Sequence, residues 1–456
     1  MKQTTQQALT NLLRANSMTP DTLDGPTLTQ LFLSQMRISL YGGESSIPML
    51  PTFSKPFGAL ADGVPVAVAE VDDQEVRVSL VTFRGGQAQC TSQDSFPVPG
   101  RDYPAPLADL IYAVAELIQP LLDQAQALAL CLPFPVDFDG KGDGIIRRFP
   151  GTMTVTEFSQ QPVLAALQAE LLDRGCPPLP MTLVSEPDAV LLAAGVQQPG
   201  CSRYVGLTWG SSVDVGFAAP GSIVLRWRGI PGDLMLFDSG LSQAQCVPFG
   251  QVDFSKDRDS YAPGKDLYLK MVSTDYLGEV YRLVMIKAAE AKLLSFGCSR
   301  DVLSLRWLDL DTLAEFLTDP EKGDTLAHFC REPEDREVGL AVGQAVLDRA
   351  AKLLCVGLAS VLQFVGAGRD PKAPACVGLH GAAFSFPPVK AAWEHQVQTY
   401  LRDTLGLSVT LCYGENMLPT GAAAEAKLRE LLHFSGAIYD NIVFGRQSNE
   451  QSVLEW

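Results

Sequence analysis

Val64-Pro65-Val66-Ala67-Val68-Ala69-Glu70-Val71-Asp72-Asp73-Gln74-Glu75-Val76-Arg77-Val78-Ser79-Leu80-Val81-Thr82-Phe83 is the stretch on which the fold turns. Its runs 64–70 and 76–83 are rich in valine, which packs well on a pleated surface. Residues 71–75 between them read as the turn of a β-hairpin. Working outward, Pro106 to Gln126 reads as a helix and Ala127 to Leu132 as a buried strand ending in Pro133-Phe134-Pro135. Thr182 to Val184 is a short strand feeding a helix that starts near Pro187, where the first turn needs no amide donor. The plan then repeats. Tyr204 to Trp209, Val213 to Ala218 and Ile223 to Trp227 read as a second set of short strands. They are followed by helices over Asp266 to Phe296, Glu337 to Val365, Val389 to Leu405 and Gly421 to Phe434, with strands at Cys376 to Leu379 and Ser408 to Tyr413. Two successive hairpin-plus-helix units imply a duplicated α/β architecture with a central cleft between two lobes.

Upstream, Ala8, Leu9, Leu12 and Leu13 share one helix face, and Leu28, Leu31, Phe32, Met36 and Leu40 another. The expected division is therefore N-terminal helices over 1–53 packing on the large lobe, a small lobe over 54–195, a large lobe over 196–435 and a C-terminal segment over 436–456 returning to the small lobe. The 456 residues allow more than one substantial core, and 46% hydrophobic with 19% charged residues is ordinary for a globular chain.

A formal net charge of −17 argues against a nucleic-acid partner, whose phosphates would be repelled. The Arg147-Arg148 pair stands alone rather than in a basic cluster. The longest apolar stretch, Val338 to Val365, is interrupted by Asp348, Arg349 and Lys352, which makes it a buried helix and not a membrane span. Ten cysteines are scattered without C-x-x-C spacing, so a zinc ribbon or dithiol motif is unsupported and a reducing cytoplasm fits. Four histidines leave no histidine-rich metal site.

Met49-Leu50-Pro51-Thr52-Phe53, Ser260-Tyr261-Ala262-Pro263-Gly264-Lys265, then Lys270-Met271-Val272-Ser273 and Tyr276-Leu277-Gly278-Glu279-Val280, and finally Val377-Gly378-Leu379-His380-Gly381, follow one another in an order that resembles the eukaryotic-type hexokinase family. The family motifs are M-L-P-T-F/Y, N-P-G-K … K-M-x-S-x-x-Y-L-G-E and V-x-V-D-G. The resemblance spans roughly residues 1–435 and implies the two-lobed actin-like ATPase (ribonuclease H-like) fold, with MgATP and a sugar as ligands if the chain is active. Phosphoryl transfer rests on positioning and charge neutralisation, with backbone amides on the phosphates and a carboxylate taking the hydroxyl proton.

Against that requirement the motifs are overwritten. Where the family has D-L-G-G-T-N, this chain has Glu70-Val71-Asp72-Asp73-Gln74-Glu75, so aspartates replace glycines that let amides approach phosphate. Trp209-Gly210-Ser211-Ser212-Val213-Asp214 stands at G-T-G-S-N and keeps a glycine and hydroxyls. It reads either as an anion-touching turn or as a plain tight turn. Val184-Ser185-Glu186-Pro187-Asp188 stands at V-N-D-T, which puts Glu186 at the base position beside Ser185. Alternatively, Glu186 and Asp188 cap the following helix.

Of the sugar contacts, Pro133 replaces the F-S-F-P serine, the T-K pair falls near Pro150-Gly151, and N-x-E-W-G falls near Leu225-Arg226-Trp227-Arg228-Gly229. Glu279 alone persists. Met417-Leu418-Pro419-Thr420-Gly421 replaces G-S-G-K-G, with the amides of Gly421, Ala422 and Ala423 left to face an anion or simply to start a helix. His380 replaces an aspartate.

The candidate residues are thus Glu186 as base; Ser185 and Glu279 for substrate; and Glu70, Gly210, Ser211, Ser212 and Gly421 for nucleotide phosphates, with no metal ligand. The function expected is that of a catalytically impaired pseudo-hexokinase acting through a bound metabolite or protein partner. The competing expectation is an active ATP-dependent sugar kinase with a divergent site, in which Glu70 holds Mg²⁺ through water.

Overall fold

The computed structural model describes residues 3–434 apart from 57–59, 61, 73, 152, 158–159 and 261. Asp73 and the segment 436–456 therefore lie outside the described residues. Two sheets organise the chain. In the small lobe β2 (Val66–Val71), β3 (Glu75–Arg84), β4 (Gln87–Pro97), β5 (Ala127–Leu132) and β8 (Met181–Ser185) lie in the order β4-β3-β2-β5-β8. The hairpin pairs β4-β3 and β3-β2 are antiparallel, while β5 and β8 add parallel.

In the large lobe β1 (Leu50–Pro51), β9 (Arg203–Trp209), β10 (Val213–Pro220), β11 (Leu234–Asp238), β12 (Ala375–His380) and β13 (Val409–Cys412) lie in the order β1-β11-β10-β9-β12-β13. Without β1, both sheets follow one strand order, 3-2-1-4-5. The duplication read from the sequence is the architecture of the molecule. A separate hairpin, β6 (Val136–Phe138) with β7 (Gly144–Ile146), projects from the small lobe beside the cleft.

Helices cover both faces of the small sheet. α3 (Leu107–Leu122) and α4 (Val163–Asp173) close one side, and α5 (Glu186–Gln197) with α14 (Met417–Phe434) closes the other. The large-lobe core is built by α1 (Gln3–Ala15), α2 (Gly25–Leu40), α7 (Leu267–Val272), α8 (Thr274–Glu290), α9 (Phe296–Ser304), α10 (Leu310–Thr318), α11 (Leu326–Phe329), α12 (Pro333–Phe364) and α13 (Pro387–Gln396), with α6 (Gln251–Arg258) at the cleft. Leu9, Leu13, Phe32, Met36 and Leu40 of the first two helices are buried in that core.

α5 positions the site. Glu186 to Ala194 are all buried, as a helix apolar on every side requires. It lies so close to its neighbours that a Cβ on Gly206 would stand 2.0 Å from the Pro187 carbonyl oxygen, and one on Gly421 would stand 1.8 Å from the Ala189 carbonyl oxygen. Only glycine fits those contacts.

Several boundaries differ from the sequence expectation for physical reasons. Ile223 to Trp227 is not a strand: Gly221–Ile223 form a 3-10 turn, and the amides of Leu225 and Arg226 bond to the Leu40 carbonyl at 2.9 and 3.1 Å. The third strand of that sheet is instead β11. The polar strand β4 is a sheet edge that needs no apolar alternation. Helix α14 begins at Met417 with Pro419 in its first turn and already packs on the small sheet, so the chain returns to the small lobe before residue 435.

Candidate functional site

A cleft of about 3600 Å³ runs between the lobes. Ser185, Glu186, Gly210, Ser211 and Ser212 all line it. Ser185 ends β8 and caps α5, its Oγ accepting the Asp188 amide at 3.4 Å and donating to Asp238 Oδ1 at 2.9 Å. The cap is therefore Ser185, not the carboxylates after it. Glu186 is the first helical residue, and Ser212 Oγ donates to its Oε2 at 2.9 Å. Ser211 Oγ donates to Asp275 Oδ1 at 2.9 Å. Both hydroxyls of the second turn are thus engaged by carboxylates.

The first hairpin turn is closed from within. Asp72 Oδ1 accepts the amides of Gln74 and Glu75 at 2.7 and 2.8 Å. Arg77, opposite Glu70 in the ladder, meets three carboxylates: Glu70 at 3.6 Å, Asp72 at 2.8 Å and Glu75 at 2.8 Å. Glu70 itself is 8% exposed and lies under the arginine rather than on the cleft wall. Burial pushes its carboxyl up, and Arg77 opposes that shift.

His380, at the end of β12, comes from the other lobe to this group. Burial and the Arg77 cation push its imidazole down to about 4, with Asp72 acting the other way. It is neutral at pH 7.

The remaining candidates are placed apart. Glu279 is buried on α8 in a two-point pair with Arg282, at 2.6 and 2.7 Å, and does not line the cleft. Gly421 sits one turn inside α14, so its amide belongs to the helix and its lack of a side chain serves the α5 contact. The expectation that it faces a phosphate is corrected by that position.

On the small-lobe side of the cleft Pro133, Phe134 and Phe149 form an apolar wall, the two rings edge-on at 4.8 Å. Arg148 bonds Asp266 of the large lobe at 2.5 Å and Arg147 pairs with Asp137, so both arginines are ion-paired.

Three residues escaped the sequence reading. Arg77 was findable, since a turn over 71–75 sets it opposite Glu70. Asp238 reaches the cleft at the end of β11, and Asp214 faces it from β10. The Asp214 carboxylate takes the amides of Val215 and Gly240 at 2.7 and 2.9 Å and the Ser239 hydroxyl at 2.5 Å. Burial raises both carboxyls, with Asp188 and Asp214 adding to the shift of Asp238. Among the described residues no group of three His, Cys, Asp or Glu side chains is arranged to hold a metal ion. Among them, no helix is long and apolar enough to cross a membrane.

Residues 233–428 match the family model described as hexokinase. A hexokinase of Schistosoma mansoni is 25% identical over 376 residues, covering 76% of this chain and 80% of that protein. Hexokinase-2 of Candida albicans is 22% identical over 360 residues, covering 73% and 74%. The solved hexokinase of Schistosoma mansoni complexed with glucose superposes with a TM-score of 0.77 at 21% identity, over 93% of this chain and 99% of that one. A second crystal structure of a hexokinase gives 0.73 at 18% identity. With the duplicated sheets and the shared motif order, these matches make the chain similar in sequence and in fold to hexokinases.

Proposed function

We propose that this protein is a hexokinase-family binding protein in which phosphoryl transfer is impaired, and that it acts by holding a metabolite or a protein partner in its cleft. The observation that carries the proposal is the Asp72 carboxylate on the amides of Gln74 and Glu75. A phosphate needs those donors and a spare cation. Here the donors serve an internal anion and Arg77 is shared among three carboxylates. The residues present therefore do not fit the phosphates of MgATP, and no transfer step is derived through it.

The apolar wall of Pro133, Phe134 and Phe149 supports the same reading, because unpaired sugar hydroxyls cost about 1–3 kcal/mol each. All ten cysteines are free thiols, which supports a cytoplasmic location.

One observation favours the competing reading, an ATP-dependent sugar kinase. Glu186 lines an open cleft, held by Ser212 where a base could face an acceptor hydroxyl. Titrating the purified protein with millimolar MgATP, with and without glucose, while following ADP release separates the two. The proposal expects no glucose-dependent ADP. Acceptor-dependent turnover that disappears in Glu186→Gln would replace it with the kinase.

A further inference from the structure

The chain crosses between the lobes at the connector 52–55, at β8 into α5, and at the turn before α14. Charged side chains that the cleft does not use are buried at this junction. Thr52 Oγ1 donates to Asp188 Oδ2, while the Thr52 amide is fixed to the Leu236 carbonyl of the large sheet at 3.0 Å. Asp188 is fully buried and its Oδ1 has no hydrogen-bond partner.

On α14, buried Glu425 accepts Arg429 Nε at 2.7 Å, and Arg429 Nη2 is also without a partner. Arg429 abuts Gly142, whose carbonyl holds the Leu183 amide of β8 at 2.8 Å. The connector, α5, α14 and the small sheet thus converge on one arginine and two buried carboxyl groups.

We propose that this Thr52–Asp188–Glu425–Arg429 cluster is a proton-controlled joint between the lobes, closed while the carboxyl pair keeps a proton and loosened between α5 and α14 when the proton leaves. Two buried carboxylates beside one guanidinium leave a net negative charge in a poorly hydrated site, which favours retaining a proton. Burial pushes Asp188 up to about 8, with Glu425 and Asp214 adding to it and Thr52 and Arg429 opposing. Burial raises Glu425 too, against Arg429 and Ser54.

The other groups facing the junction do not relieve the charge. Asp238 on β11 and Glu186 on α5 are acidic, and Cys131 on β5 is a buried thiol held neutral by its surroundings. α14 also buries Lys427, the one further buried cation of that helix among the described residues, which is not among the main charges acting on either carboxyl of the pair. Once the proton is gone, hydrating the pair requires α14 to part from α5, which touch backbone to backbone at Gly421 and Ala189. The joint would act whatever occupies the cleft.

The full chain is followed between pH 6 and 9 by thermal unfolding and by small-angle X-ray scattering. The joint predicts a Tm that falls from pH 6 and levels off above about 8, and a radius of gyration that rises with a single-proton midpoint near 8. Asp188→Asn, which keeps an acceptor for Thr52, should flatten both curves. Glu425→Gln should move the midpoint down by about one pH unit, a roughly tenfold loss of proton affinity, because it removes the neighbouring charge. A flat wild-type profile, or a wild-type profile retained in Asp188→Asn, overturns the proposal. Should Asp188→Asn not fold, an unmoved midpoint in Glu425→Gln overturns it alone.

Discussion

Replacing Arg77 by methionine keeps most of the stem and removes the cation that Glu70, Asp72 and Glu75 share. The cost can be bounded from exposure. Exposed ion pairs contribute about 0–1 kcal/mol, whereas stripping the partner from a buried charge costs about 3–5 kcal/mol. Arg77 has 31% of its side chain exposed and Glu70 10%, so the expected loss lies between those limits, at about 2 kcal/mol. For a lobe of this size that lowers Tm by about 5 °C, measurable by circular dichroism at pH 7.

Adding Glu70→Gln to Arg77→Met should recover part of the loss, since the charge left stranded is then gone. A second readout comes from the opposite lobe. Arg77 helps to hold the His380 imidazole near 4, so in Arg77→Met that ring should titrate closer to its ordinary value, as followed by histidine NMR. A variant that melts within 1 °C of wild type, roughly the scatter expected where nothing is lost, and leaves His380 unmoved would refute the neutralised-hairpin account.

Gly421→Ala would force α14 off the Ala189 carbonyl and should cost about 3 kcal/mol or more in urea unfolding; a loss near zero would mean the helices can separate freely. His380 is depressed in the folded state, so the fold binds fewer protons than the unfolded chain between about 4 and 6.5. Stability should rise with pH across that window, by at most about 3 kcal/mol, and His380→Gln should remove this component in a pH series of melts. Glu186→Gln retains an acceptor for Ser212 and should change stability by less than about 1 kcal/mol. If any acceptor-dependent turnover exists, the same change should reduce it at least about 100-fold.

The duplicated plan was legible because valine-rich hairpins and proline-started helices are local signals, and both sheets are built from them. β11 was not. Its Met235-Leu236-Phe237 run is buried and too short to show a period, so the third strand was placed at Ile223 to Trp227 in the preceding loop. The helix expected from Gly421 begins at Met417 instead, because Pro419 fits in the first turn, where its missing amide costs nothing.

Ser185, Glu186, Ser211 and Ser212, singled out in the sequence, all line the cleft because they follow the strand and turn that position them. It could not foresee that Asp72 would fold back on its own turn. An aspartate at a tight turn is compatible both with repelling a phosphate and with replacing one, and only the side-chain direction distinguishes them. The buried cluster around Asp188 was hidden because Thr52 lies 136 residues before Asp188, the Glu425–Arg429 pair comes from the last helix, and the three meet only through tertiary packing.

The most direct test of the self-occupied hairpin is calorimetric titration of MgATP into the wild-type protein and into Asp72→Gly. The account predicts no saturable heat for wild type at millimolar nucleotide, and measurable binding in Asp72→Gly, where the amides of Gln74 and Glu75 are released. Saturable MgATP binding to the wild type, equalled or weakened in the variant, would contradict it.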